Sequence, residues 1–237
     1  MFSALIFAAA LQTLVIDDSV PHDSQRYTQG LSFDGKTLIE SAGLYGKSGL
    51  YRMPSAGAKT KDSVKLGSAY FGEGSVRVYD DIVWLTWKEG VAFVYDAKTL
   101  APKISFPLPT QGWGLTLWNG EMLMSDGSDE LLVLSPADHR VIKTIPVKDG
   151  KTPVANLNEL EAVGNTLYAN VWGSDSIAVI DLPQGSVRAW IDLSPRAKAL
   201  RKRFPKAEVL NGIAWDGKSL WITGKLWPVM YRAHIKK

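Results

Sequence analysis

The chain has no cysteine, which excludes disulfides, thiol nucleophiles and thiolate metal sites and leaves the redox compartment open. Histidine is nearly as scarce. His22, His139 and His234 lie far apart, so the His/Asp cluster of a zinc hydrolase is absent. Charge of one sign is lacking too. Lys+Arg 27 against Asp+Glu 24 leaves +3, too small an excess to argue for nucleic acid or an anionic membrane surface. The apolar N-terminal run is too short to span a bilayer. It covers residues 1–10, ends in Ala8-Ala9-Ala10 and has no Lys or Arg before Arg26. It reads as a signal remnant, implying a periplasmic or secreted protein, or as a truncated start or an apolar tail packed on the domain.

What is present describes a globular protein. Hydrophobic content of 46% and charge of 22% make disorder a poor reading, and 21 Gly with 12 Pro spread along the chain imply many turns. At this length a single domain over residues 11–237 is expected. Nine tryptophans are many for the size, and part of that excess is expected to line a pocket.

Repetition is the main organising signal. Gly30, Gly74, Gly114, Glu159 and Gly212 are spaced by 44, 40, 45 and 53 residues, a period that marks a repeated supersecondary unit. Each copy turns at Asp34-Gly35, Asp80-Asp81, Asn119-Gly120, Gly164-Asn165 or Asp216-Gly217, all hairpin chemistry. Second and third strands follow each turn, and four copies have a fourth. The last copy lacks its own outer strand, and Gln12 to Ile16 is expected to supply it. The expected fold is therefore all-β, a five-bladed propeller closed by an N-terminal strand. The longer step before the fifth copy holds one short inserted helix, with Ser194 as N-cap, Pro195 at its first position and Ala197, Leu200 and Phe204 on one face. Its five Lys and Arg residues read as a solvated face rather than a nucleic-acid patch.

In a propeller the starts of the first strands and the ends of the second converge on one face. Immediately before the aligned positions stand Gln29, Glu73, Trp113, Asn158 and Asn211. Thirteen residues after those positions stand Gly43, Trp87, Gly127, Trp172 and Lys225. Together they make a mouth with one carboxylate, three amides, one ammonium and three indoles. The glycines flanking Glu73 read as room for a substrate backbone.

Several motifs then resemble the plant-type and bacterial glutaminyl cyclases, propellers that convert N-terminal glutamine to pyroglutamate. They include Tyr27-Thr28-Gln29-Gly30-Leu31, Glu40-Ser41-Ala42-Gly43-Leu44-Tyr45-Gly46, Tyr70-Phe71-Gly72-Glu73-Gly74, Gly112-Trp113-Gly114-Leu115 and Leu157-Asn158-Glu159-Leu160-Glu161. Ala169-Asn170-Val171-Trp172, Leu210-Asn211-Gly212-Ile213-Ala214-Trp215-Asp216 and Thr223-Gly224-Lys225-Leu226-Trp227-Pro228 complete the set. Tyr27 departs from the family's usual phenylalanine and puts a hydroxyl on the pocket wall. Ser75 and Gln111 depart as well. The resemblance implies metal-independent acid/base catalysis without cofactor, with Glu73, Lys225, Asn158 and Gln29 catalytic. Tyr27, Phe71, Trp87, Trp113, Trp172 and Asn211 would bind substrate, Asn211 without a defined role.

The implied partners are peptides or proteins that begin with glutamine, and a monomer with no nucleic-acid or membrane partner is expected. A propeller that only binds peptide or carbohydrate in its aromatic mouth is the alternative. The stretch Asp126-Gly127-Ser128-Asp129 reads as a turn rather than a calcium loop.

Overall fold

The computed structural model describes residues 9–236. Each repeat forms its own antiparallel sheet. The first holds Thr28–Asp34, Thr37–Ala42, Gly49–Met53 and Asp62–Lys65; the second holds Gly72–Val78, Asp81–Thr86, Val91–Asp96 and Pro102–Pro107. The third holds Leu115–Trp118, Glu121–Ser125, Glu130–Leu134 and Val141–Pro146. The fourth is built on Leu157–Val163, Thr166–Val171, Ser176–Asp181 and Ser186–Asp192, and the fifth on Leu210–Trp215, Leu220–Gly224 and Val229–Ile235. The inner strands touch in cyclic order, the fifth sheet's against the first's. The architecture is all-β and propeller-like, with one helix.

The core follows from period-2 alternation on strands sandwiched between two other sheets. Five apolar clusters fill the gaps between neighbouring sheets. Ile39 and Leu50 meet Ile82 and Trp84 between the first and second, and Val83 and Val94 meet Met122 and Leu132 between the second and third. Leu31, Leu38 and Met53 meet Trp221 and Met230 where the fifth sheet returns to the first. Hairpin chemistry fits at Asn119 and Gly120, whose φ values of 53° and 84° are the left-handed pair a two-residue hairpin needs. In the second sheet the turn falls one residue earlier than expected. Tyr79 takes a φ of 54°, and Asp81 already belongs to the strand.

The N-terminal segment does more than the single strand expected of it. Ala10–Leu11 pairs in parallel with the outer strand of the fourth sheet, and the Gln12 N–H donates to Trp190 O at 2.7 Å. Leu14–Pro21 then pairs antiparallel with Val229–Ile235 as the fifth sheet's outer strand. The closing strand is thus shifted from 12–16 to 14–21. Its acidic residues suit an exposed edge, where Asp17 reaches His234 and Asp18 reaches Arg232. Residues 1–8 of the leader reading lie outside the described residues. The helix spans Ser194–Arg203, so Ser194 lies within it rather than capping it; the cap position is Leu193, which makes no side-chain bond. Asp192 Oδ1 accepts the Ser194 N–H at 2.8 Å instead. Ala197 and Leu200 are buried as expected, whereas Phe204 follows the helix and is 36% exposed. Arg201 pairs with Asp175, and the other basic side chains are exposed.

Close approach of the inner strands explains the repeated glycines. A Cβ on Gly114 would stand 2.0 Å from Asn158 O, and one on Gly74 2.7 Å from Trp113 O. Backbone cannot yield as a side-chain tip can, so Gly114→Ala is expected to destabilise by about 2–3 kcal/mol. An unchanged urea midpoint would contradict that packing.

Candidate active site

Four of the five inner strands carry an irregularity at the site residue. Register shifts between Thr28 and Gly30, Gly72 and Ser75, Leu157 and Leu160, and Leu210 and Ile213. Each shift brackets Gln29, Glu73, Asn158 or Asn211. A bulge re-aims a side chain that regular alternation would send into the space between sheets, so the repeat and the bulges together build the site.

The bulges open on a cavity of about 750 Å³ lined by Tyr27, Gln29, Phe71, Glu73, Trp87, Trp113, Asn158, Trp172 and Lys225. Nine of the ten residues singled out from the sequence therefore share one wall. The tenth, Asn211, does not line it. Asn211 is 1% exposed and its Nδ2 donates to Thr28 O at 2.8 Å and to Gln29 Oε1 at 3.2 Å. Gln29 Nε2 in turn donates to Glu73 Oε1 at 3.0 Å. Asn211 thus orients the residue that orients the carboxyl.

Glu73 is 4% exposed. Burial pushes its pKa well above the usual carboxylate range, Lys225 pulls it back and Glu89 adds to the rise. Its backbone is pinned as well: Glu73 O accepts from Ser41 Oγ at 2.7 Å and Trp84 Nε1 at 3.0 Å. The flanking glycines serve that packing, correcting the expectation of substrate room. A Cβ on Gly72 would strike Trp84 at 2.5 Å, and Gly74 abuts the backbone of the third sheet. Lys225 is 3% exposed; burial lowers its pKa, with Glu73 and Glu208 opposing.

Among the described residues, two buried polar atoms of the lining have no protein partner, Asn158 Oδ1 and Trp113 Nε1. A buried polar group left unmade is costly, so these two atoms are ready for a ligand's donor and acceptor. Asn158 itself is anchored through its carbonyl, which accepts Ser125 Oγ at 2.7 Å. The apolar wall is a chain of edge-on rings, Phe71 with Trp87 at 5.5 Å and Trp113 with Trp172 at 6.2 Å between centroids. Trp172, 54% exposed, stands at the rim.

Lys88, Ser128 and Asn156 also line the cavity and were missed. They come from connecting loops, which have no fixed offset in the repeat. Gln111, flagged in the sequence only as a departure, and Asp126 are there too. Asp126 does close the expected turn, accepting the Ser128 N–H at 2.9 Å. Among the described residues no group of three or more His, Cys, Asp or Glu comes together as a metal site, and no helix is long and apolar enough to cross a membrane.

A buried carboxyl with a raised pKa, a buried ammonium, an amide with a free acceptor and an indole wall make an acid/base site suited to a small polar substrate held away from water. The chain belongs to the glutamine cyclotransferase family, whose sequence model matches residues 6–235. It is 35% identical to a glutaminyl-peptide cyclotransferase of Arabidopsis thaliana over 99% of this chain and 75% of that one. The crystal structure of Myxococcus xanthus glutaminyl cyclase superposes with a TM-score of 0.87 at 30% identity, covering 96% of this chain and 98% of that one. BamB from Moraxella catarrhalis, at 10% identity and a TM-score of 0.53, shares the fold alone.

Proposed function

We propose that this protein is a glutaminyl-peptide cyclotransferase, converting an N-terminal glutamine to pyroglutamate with release of ammonia by a metal-independent route. We read its five sheets as the five blades of a closed propeller, with Leu14–Pro21 completing the last. The observation that carries the activity is the raised, buried carboxyl of Glu73 held by Gln29 beside Lys225.

The substrate's α-amine attacks its own side-chain carboxamide carbon, so nucleophile and electrophile arrive together and no covalent enzyme intermediate is needed. Glu73 takes the proton that the amine loses as the C–N bond forms, and returns one to the departing nitrogen, which leaves as ammonia. The Lys225 ammonium and the Asn158 amide face the carboxamide oxygen as it gains negative charge. Phe71, Trp87, Trp113 and Trp172 exclude water, so the lactam forms in preference to hydrolysis.

Purified protein is expected to release one ammonia per pyroglutamyl peptide formed from a glutamine-initiated peptide, at the same rate with EDTA present. Absence of turnover on a panel of such peptides would overturn the activity and leave a binding propeller. Loss of turnover on chelation would overturn the metal-independent route.

A further inference from the structure

Glu208 follows the inserted helix and is exposed, yet it is held against the catalytic lysine. Its N–H donates to Lys225 O at 2.8 Å, and the Lys225 N–H donates to Val209 O at 3.0 Å. Trp227 Nε1 fixes the Glu208 carbonyl at 2.9 Å. On the cavity side, Lys225 Nζ lies 4.6 Å from the centroid of the Tyr27 ring. Burial and then the Glu208 carboxylate act on the Tyr27 hydroxyl, so the ring has the buried ammonium over its face and a rim carboxylate near its hydroxyl end.

We propose that Tyr27 and Glu208 are a positioning pair for Lys225, in which the ring face seats the ammonium and the rim carboxylate tethers the ring and adds a second negative charge beside the lysine. The proposal rests on the cyclotransferase reading for its catalytic consequence, though not for its electrostatic one. A cation over an aromatic face gains most where water is excluded, as it is at Lys225. Burial and Glu208 push the Tyr27 hydroxyl up, so it remains a donor. The charges acting on Lys225 are Glu73 from the second sheet and Glu208 from the segment entering the fifth. Glu73 gives up and regains a proton during turnover, whereas Glu208 lies outside the cavity lining and is not spent. It supplies a counter-charge from outside the reaction to a lysine that must stay an ammonium to bind an oxyanion.

The test reads Lys225 directly, by the pH titration of its 13C-labelled ε-carbon in NMR, assigned with Lys225→Arg. Removing the Glu208 charge leaves burial less opposed, so Glu208→Gln is expected to move the midpoint down by about half a pH unit or more. Tyr27→Phe, which breaks the tether, is expected to move it the same way. The alkaline limb of kcat should follow, and Glu208→Asp should restore part of it. A midpoint unmoved in Glu208→Gln, in a protein melting with the parent, overturns the pair. A midpoint that moves in a protein that releases no ammonia supports the pair and sinks the cyclotransferase reading instead.

Discussion

Glu73→Gln is expected to lower kcat/KM for a glutamine-initiated peptide about 1000-fold while leaving the protein as stable as the parent or more so. A positioned acid/base group contributes about 100- to 10,000-fold, and the middle of that range corresponds to about 4 kcal/mol of barrier. The amide keeps the shape and keeps a partner for Gln29, which among the described residues is the one side chain that hydrogen-bonds the carboxyl. What it removes is the titratable proton.

Stability moves the other way because burial raises the Glu73 pKa. Between the unfolded value of 4.5 and the raised folded value, the unfolded chain has lost a proton that the native state keeps, so rising pH destabilises the parent. The glutamine variant carries no such penalty, and its advantage in melting temperature should grow as pH rises above 4.5. The same raised value places the acid limb of the parent's kcat/KM above the ordinary carboxylate range, and the residual activity of the variant should lack that limb. A variant within about tenfold of the parent's rate would remove Glu73 from the mechanism.

The residues of the candidate site were legible in the sequence for a physical reason. Gln29, Glu73, Asn158 and Asn211 occupy equivalent places in four repeats, where a plain repeat would carry small or apolar residues, and polarity without a packing reason points to chemistry. The spacing located them before any bulge was visible. The offset of thirteen residues then supplied Trp87, Trp172 and Lys225 from the ends of the second strands. Side chains delivered by loops escaped that logic. Asn156 and Lys88 sit beside identified residues, and Glu208 reaches Lys225 only because the inserted helix returns the chain there. The edge of the fourth sheet was equally silent. Lys148–Asp149 and Thr152–Pro153 add to it, and Asp149 is matched by Trp190 Nε1 at 3.0 Å and the Ala9 N–H at 2.8 Å. Those partners are 41 and 140 residues away, a separation that no local pattern encodes.

The largest stability effect is expected at another residue that the sequence left unremarked beyond its motif. Glu40 is fully buried and accepts from Arg26 at 2.6 Å, Thr28 Oγ1 at 2.8 Å and His22 Nε2 at 2.9 Å. The other ring nitrogen of His22 faces Trp227 O at 2.7 Å. Both nitrogens meet acceptors, so the ring is an imidazolium, in keeping with a pKa that Glu40 raises against burial and Arg26. Burial would push the Glu40 carboxyl up, but His22 and Arg26 outweigh it and hold it at about 2.

Glu40→Gln leaves Arg26 buried beside a neutral amide, and removing one partner of a buried pair costs about 3–5 kcal/mol, a fall in Tm of roughly 10 °C for a domain of this size. The sign of its pH dependence is opposite to that at Glu73. A carboxyl lowered from 4.5 to about 2 stabilises fully above the higher value and loses that contribution as pH falls through the lower. The gap between parent and variant should therefore shrink by about 3 kcal/mol across that window. The His22 contribution, present below 6.5 and lost as pH rises through its raised folded value, belongs to the same pair and is not added to this figure. Thr28 binds Glu40 and directly precedes Gln29, so the cluster also roots the segment that orients Glu73. A gap that stays constant through the acid window would mean that Glu40 is not the charged centre of the cluster.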